Sequence, residues 1–294
     1  MPAEGGGRAP SARALLARHG LRAKKSWGQN FLVDPRVQAR IVAAAAPAPD
    51  DTVVEIGAGL GALTGALAES AGQVIAVERD PDMVRVLHEE LGGRANVTIA
   101  AIDALTFDFA AAAARAQRPL LVVGNLPYQI TSPLLFAILD GAAAGAVVAR
   151  AVLMVQREVA ERVTAAPGSK VYGRLSVMAQ QRAEVEILFH VGAGAFHPPP
   201  AVTSTVMRVV PRRAPLADPG DPALFAEVVR AAFGSRRKML RGALGAAFGE
   251  ERARAALAAA GIAETRRAEE LSVADLAAVS AAMARIPGDE GRGA

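Results

Sequence analysis

Apolar runs of strand length alternate with helical patterns through the first half of the chain. The runs are "TVVEIG" (52–57), "QVIAVE" (73–78), "VTIAAID" (97–103), "LLVVGN" (120–125) and "AVLMVQ" (151–156). They are nearly continuous in apolar character, as strands buried on both faces are. Between them lie alanine- and leucine-rich stretches such as "LTGALAESA". Strands alternating with helices predict βαβ units and a parallel sheet. Two later runs, "EVEILFHV" (184–191) and "STVMRVV" (204–210), are joined by a proline-rich loop instead of a helix. A short connection suits antiparallel pairing. The expected fold is therefore α/β, a mostly parallel seven-stranded sheet with an antiparallel edge.

"PRRAPLADPGDP" (211–222) reads as a linker. Only helical patterns follow it, which predicts a small all-helical domain over 215–287. Residues 1–24 read as a flexible basic arm, leaving 25–211 for the sheet domain. Before Gly28 the chain carries Arg8, Arg13, Arg18, Arg22, Lys24 and Lys25 against a single acid, Glu4. Such an arm suits an anionic polymer, although a solvated leader would look the same.

Composition narrows the chemistry. The 294 residues include no cysteine, which excludes disulfides, thiolate metal sites and cysteine nucleophiles. The four histidines, His19, His88, His190 and His197, have no ligand spacing, so no metal site is expected. No apolar stretch is long enough to span a bilayer, and Leu15-Leu16 is too short for a secretion signal. A cytoplasmic protein is expected.

The candidate chemistry sits at the strand ends. "VVEIGAGLGALT" places Gly57, Gly59 and Gly61 between a strand and a helix, where a tight turn lets a ligand approach the backbone. Gly57, Gly59 and Ala62 also match a dinucleotide fingerprint. A nicotinamide-dependent oxidoreductase therefore stays open at this point. The next strands end in Glu78, whose carboxylate can accept from both hydroxyls of a ribose, in Asp103, where an adenine amine could donate, and in Asn125. Helix capping is the plainer role for Glu78 or Asp103 singly. It explains the whole set poorly, because open α/β sheets bind ligands at these carboxyl ends. Upstream, "KKSWGQNFLVD" reads alone as a helix entry, with Asp34 as N-cap and Pro35 at the first helical position.

The blocks "GQNFL", "EIGAGLGALT", "NLPYQITSPLL", "VQREVAERV", "YGRLSV", "FHPPPAVTSTVMR" and "RRKML", in this order, resemble the KsgA/RsmA-type rRNA adenine N6-dimethyltransferases. The likeness runs from about Lys24 to Ala278. It implies a Rossmann-like class I methyltransferase domain and S-adenosylmethionine as methyl donor, leaving S-adenosylhomocysteine. It implies that Asn30, Leu32, Gly57, Glu78, Asp103 and Asn125 contact the donor, with Gly59 in the same loop. Two positions depart from the family pattern. Ala58 stands where proline is usual, and Gly242 stands where asparagine is common.

An adenine N6 amine is a poor nucleophile, because its lone pair is delocalised into the ring. Acceptors for its two hydrogens would turn that lone pair toward the methyl. Asn125 and the Leu126 carbonyl are expected to be those acceptors, with Pro127 fixing the turn. Tyr128 is expected to stack on the base, worth roughly 1–3 kcal/mol. Phe196, held by Pro198, Pro199 and Pro200, is the candidate for the other face, or else a core plug. Arg236, Arg237, Lys238 and Arg241 are expected on about one and a half helical turns, as contacts to RNA phosphates.

The resemblance implies dimethylation of two adjacent adenosines near the 3′ end of 16S rRNA in a pre-30S particle, by a monomer. The alternatives are an Erm-type 23S rRNA methyltransferase conferring macrolide resistance, and a non-catalytic ribosome-assembly or transcription factor on the same fold. "YGRLSV" and "FHPPPAVTS" favour the small subunit.

Overall fold

The computed structural model describes residues 12–24, 27–127, 130–142, 147–235 and 238–287. The chain divides into two compact units. One comprises residues up to Arg157 together with Leu188–Val209. The other comprises Glu158–Ile187 and the residues from Val210 on.

The first unit begins with helix α1 (Ala12–Arg18), strand β1 (Phe31–Leu32) and helix α2 (Pro35–Ala45). Strands and helices then alternate: β2 (Thr52–Ile56), α3 (Ala62–Leu67), β3 (Gln73–Glu78), α4 (Pro81–Leu91), β4 (Val97–Ala101), α5 (Phe109–Ala116), β5 (Leu120–Asn125), α6 (Thr131–Ala142) and β6 (Val148–Gln156). After α7 (Arg157–Val163) and α8 (Arg174–Arg182) come β7 (Ala183–Val191), β8 (Phe196–His197) and β9 (Ser204–Pro211). The strands form a seven-stranded sheet of order β4-β3-β2-β5-β6-β9-β7 and a two-stranded one, β1-β8. Strands β2 to β6 pair in parallel, and β9 runs antiparallel to β6. This is the expected Rossmann-like α/β architecture.

The central strand β2 is buried along its whole length, as its "TVVEI" composition requires. Val53, Val74 and Val123 from three adjacent strands join Ile41, Leu63 and Leu67 of the helices in one apolar cluster. From β2 the chain runs outward through β3 to β4, then crosses back to β5 on β2's other side. That reversal opens a crevice at the carboxyl ends of β2 and β5.

Three local features differ from expectation. Residues 12–24, expected to be flexible, carry α1, whose Leu15 and Leu16 are buried against Phe31, Leu60, Met83 and Val86. An apolar pair too short for a signal sequence is enough to dock one helical face. Second, Phe31–Leu32 is a strand, paired antiparallel with Phe196–His197. Third, the sixth strand starts at Val148 rather than 151, because Leu120 already pairs with Val148.

In the second unit, which also holds α8 and all of α7 but Arg157, α9 (Pro222–Phe233), α10 (Leu240–Phe248), α11 (Glu250–Ala259) and α12 (Val273–Arg285) follow residues 211–221. Asp221 and Ser272 cap the N-termini of α9 and α12. The linker stretch is tied down. Arg212 N–H donates to Arg182 O at 2.7 Å and Leu216 N–H to Gln181 O at 2.9 Å, while Gln181 Nε2 donates to Ala217 O at 2.7 Å.

Candidate active site

A cavity of about 750 Å³ opens at the carboxyl ends of β2, β3 and β5 and in the loop after β4. Small-molecule sites fall in this size range. Asn30, Leu32, Gly57, Gly59, Glu78, Asp103, Asn125, Leu126, Pro127 and Phe196 all line it. Segments more than 160 residues apart in sequence thus meet around one space.

The glycine loop bends as a left-handed turn, with φ of 74° at Gly57 and 55° at Gly59. A Cβ on Gly59 would sit 3.2 Å from the Phe31 ring, so neither the backbone conformation nor the space suits a larger residue. Gly124 is constrained differently: a Cβ there would lie 2.8 Å from Ile56 O. Its absence lets β5 lie close against β2 just before Asn125.

Glu78 is held by backbone. Its Oε2 accepts from Gly59 N–H at 2.9 Å, and its Oε1 from Arg79 N–H at 2.8 Å and Asp80 N–H at 2.9 Å. These bonds set its orientation and leave lone pairs for a ligand. Asp103 does cap a helix. Its Oδ1 accepts from Leu105 N–H at 2.9 Å at the start of a 3-10 turn, while Oδ2 takes Arg79 Nη1 at 3.0 Å. The Leu105 amide and then Arg79 hold its carboxyl below the usual range.

Asn125 Nδ2 donates to the Asn30 carbonyl at 3.1 Å. A carbonyl can only accept, so the amide's NH2 end is committed there and its oxygen is left for another donor. The next turn is pinned as well. Leu126 N–H donates to Met154 O at 2.9 Å, and Pro127 O accepts from Ile130 N–H at 3.1 Å and the Thr131 hydroxyl at 3.2 Å. Phe196 is only 5% exposed and packs in the same cluster as Leu32, Met154 and Val206. Its ring is both cavity wall and core.

Several residues not singled out in the sequence complete the site. Asp80, fully buried, caps α4 and accepts Lys24 Nζ at 2.7 Å and Gln29 Nε2 at 2.6 Å. It thereby anchors the "GQNFL" segment. Its signal was present: Asp-Pro before an apolar helical pattern marks an N-cap. Trp27 lies between two cations, 4.9 Å from the Arg79 guanidinium and 5.3 Å from Lys24 Nζ. Glu55 is buried inside β2 and borders the cavity.

Tyr128, Arg236 and Arg237 lie outside the described residues. Lys238 and Arg241 are exposed in the second unit, but not on one continuous helix. Helix α9 ends at Phe233 before Gly234 and Ser235, and α10 starts at Leu240. Leu240 and Leu244 are buried, as the pattern required. Arg241 Nη1 lies 4.0 Å from Glu264.

The model of the ribosomal RNA adenine dimethylase family matches residues 20–285. The chain belongs to that family. It is 52% identical to a ribosomal RNA small subunit methyltransferase A of Anaeromyxobacter dehalogenans over 94% of this chain and 99% of the relative. A protein of the same name from Myxococcus xanthus is 44% identical over 93% and 95%. Among solved structures, a dimethyladenosine transferase from Plasmodium falciparum superposes with a TM-score of 0.70 at 25% identity, covering 85% of this chain and 95% of that one. The 23S rRNA methyltransferase ErmE superposes at 0.65 with 29% identity, covering 87% and 100%.

Members of this family take their methyl group from S-adenosylmethionine, and the cavity suits that donor. Among the described residues its lining carries Glu55, Glu78, Arg79 and Asp103 as the ionisable side chains, and Arg79 is paired with Asp103. Two carboxyls without a protein cation fit a ligand that brings positive charge. No described helix is long and apolar enough to cross a membrane.

Proposed function

We propose that this enzyme dimethylates the N6 amines of two adjacent adenosines near the 3′ end of 16S rRNA, within a pre-30S particle and as a monomer in the cytoplasm. The observation that carries the choice of subunit is the identity of 44–52%, over at least nine-tenths of the chain, to relatives named for the small subunit. The likeness to ErmE is 29%.

The anchored Asn125 amide supports the chemistry. Its oxygen and the Leu126 carbonyl accept the two N6 hydrogens, which turns the nitrogen lone pair toward the methyl. The donor supplies an electrophilic methyl on a sulfonium. The amine nitrogen attacks along the line of the carbon–sulfur bond, which breaks as the nitrogen–carbon bond forms, and the proton then leaves to water. The site contributes position and charge placement. Glu78 receives the ribose hydroxyls and Asp103 the adenine amine of the donor, with Asn30, Leu32, Gly57 and Gly59 shaping its bed. Tyr128 and Phe196 flank the target base.

Arg236, Arg237, Lys238 and Arg241 contact RNA phosphates from the helical unit. Replacing the four with glutamine weakens subunit binding and flattens its salt dependence, while donor affinity stays unchanged. The function itself is tested by methylating purified small and large subunits side by side and reading modified adenines by mass spectrometry. Dimethyladenosine in 16S rRNA alone is the expected result. Product in 23S rRNA alone would overturn the subunit assignment.

A further inference from the structure

Glu55 is the buried ionisable group that the reaction scheme leaves unused. It sits one residue before the end of β2 and is 2% exposed. Its Oε2 has no hydrogen-bond partner, yet the residue borders the cavity. Around it, α3 contributes the Thr64 hydroxyl, likewise without a hydrogen-bond partner, and β3 contributes Glu78, a like charge. Among the described residues no lysine, arginine or histidine pairs with it. A carboxyl placed this way is costly to ionise, because nothing replaces the water it has lost. Burial, opposed by the nearby Thr64 hydroxyl and reinforced by repulsion from Glu78, pushes it up to about 8.

The charge in the cavity changes during turnover. The donor enters with a sulfonium beside an ammonium and a carboxylate that cancel each other, a net single positive charge. After transfer the sulfur is neutral, and one positive charge has left with the released proton.

We propose that Glu55 is a positioning residue that matches charge with the methyl donor: it loses its proton to solvent when the sulfonium enters and regains one when the neutral thioether product remains. This deepens the methyltransferase reading and rests on it. The balance is simple. The carboxylic acid gives a carboxylate and a solvated proton on binding, and the reverse follows transfer. An opposite charge at close range raises a carboxyl's acidity by roughly tenfold or more. The empty cavity thus avoids holding two bare carboxylates, and the spent product loses an attraction the donor had.

The test is calorimetry of S-adenosylmethionine and of S-adenosylhomocysteine binding to the full chain, in buffers of differing ionisation enthalpy near pH 6.5. The dependence on buffer counts protons. At that pH Glu55 starts protonated, so wild type is expected to release from about 0.2 to about 0.9 of a proton with the donor, for a gain in acidity of about 10- to 1000-fold, and clearly less with the product. Glu55→Gln, which keeps the shape without the charge, is expected to release none with either ligand. Its preference for donor over product is expected to fall, by up to about 30-fold where the donor's charge raises the acidity of Glu55 about 1000-fold.

Equal proton counts for donor and product in wild type would overturn the proposal, and that measurement needs no variant. So would an unchanged donor count in Glu55→Gln. Either result leaves the methyltransferase reading standing, since both ligands still bind. Wild type that bound neither ligand would instead remove that reading, and this proposal with it.

Discussion

The floor and the N-terminal wall of the cavity are built on different principles. The floor is the set of strand ends carrying Gly57, Glu78 and Asn125, each fixed by neighbouring backbone: Gly59, Arg79 and Asp80 amides on Glu78, the Asn30 carbonyl on Asn125. The wall is α1 and the segment through Leu32. Up to Gln29 it is held by side chains: Leu15 and Leu16 in an apolar patch, Arg18 at 2.7 Å from Glu90, Lys24 and Gln29 on Asp80; only Phe31–Leu32 adds backbone pairing, with Phe196–His197. Side chains fixed by backbone groups at the strand ends keep their places as long as the sheet does. Parts held by side chains come away when a few contacts are lost. The floor should therefore hold its geometry when the wall is loosened.

The largest expected effect is on the floor. Asn125→Ala should lower the rate of transfer by about 10²–10³, the loss seen when one preorganised polar contact to a transition state is removed. Donor affinity should change far less. Single-turnover kinetics with pre-bound donor read the two separately, and a near-wild-type rate would take the amine away from Asn125.

Glu78→Ala comes next. Losing charge-assisted bonds to the donor should weaken its binding by about 1.5–3 kcal/mol. The loss is compounded by three backbone N–H groups left without their acceptor. Calorimetry should place the deficit in donor affinity rather than RNA affinity. Unchanged donor binding would mean that Glu78 serves the loop alone.

On the wall, Leu15→Ala with Leu16→Ala should detach α1 and weaken donor binding several-fold, with the sheet intact. Hydrogen exchange is the check. Amides of 12–24 should lose protection while those of β2 and β5 keep theirs. Loss of protection throughout would mean the wall and floor fold as one.

A separate readout is the pH dependence of stability. Glu55 in the folded chain holds its proton up to about 8, against an ordinary value near 4.5. Between those pH values the unfolded chain has lost the proton and the folded chain still carries it. The linkage slope is then negative, and the Glu55 contribution to stability falls as pH rises across that window. Glu55→Gln should flatten the decline in melting temperature between pH 5 and 8. Identical slopes would place the Glu55 carboxyl in a wetter setting than its burial indicates.

Much of the floor was legible before any coordinates, because a buried parallel strand shows as an unbroken apolar run and its end as the first polar residue. Glu78, Asp103 and Asn125 were each found that way. Capping and ligand lining were posed as rivals for Asp103, and one carboxylate does both: one oxygen holds the 3-10 turn, while the other faces Arg79 at the cavity. The basic turn read less well. Its cations were assigned to one helix, but Gly234 and Ser235 separate α9 from α10 there.

Period, punctuation and polar residues at run ends are local properties, and from them the sequence determined the βαβ order, the Rossmann-like sheet and the carboxyl-end position of the site. Four things belonged to the tertiary structure: the docking of α1, the pairing of Phe31–Leu32 with Phe196–His197, the anchoring of Gln29 and Lys24 on Asp80, and the isolation of Glu55. The first three bring together groups up to more than 160 residues apart, and the fourth depends on Thr64 and Glu78 closing around Glu55 without pairing with it. No periodicity encodes such a meeting. It is decided by which buried polar groups find partners once the core has closed, and Glu55, the one carboxyl in the cavity lining left with an unpartnered buried oxygen, is where a ligand's charge can still act.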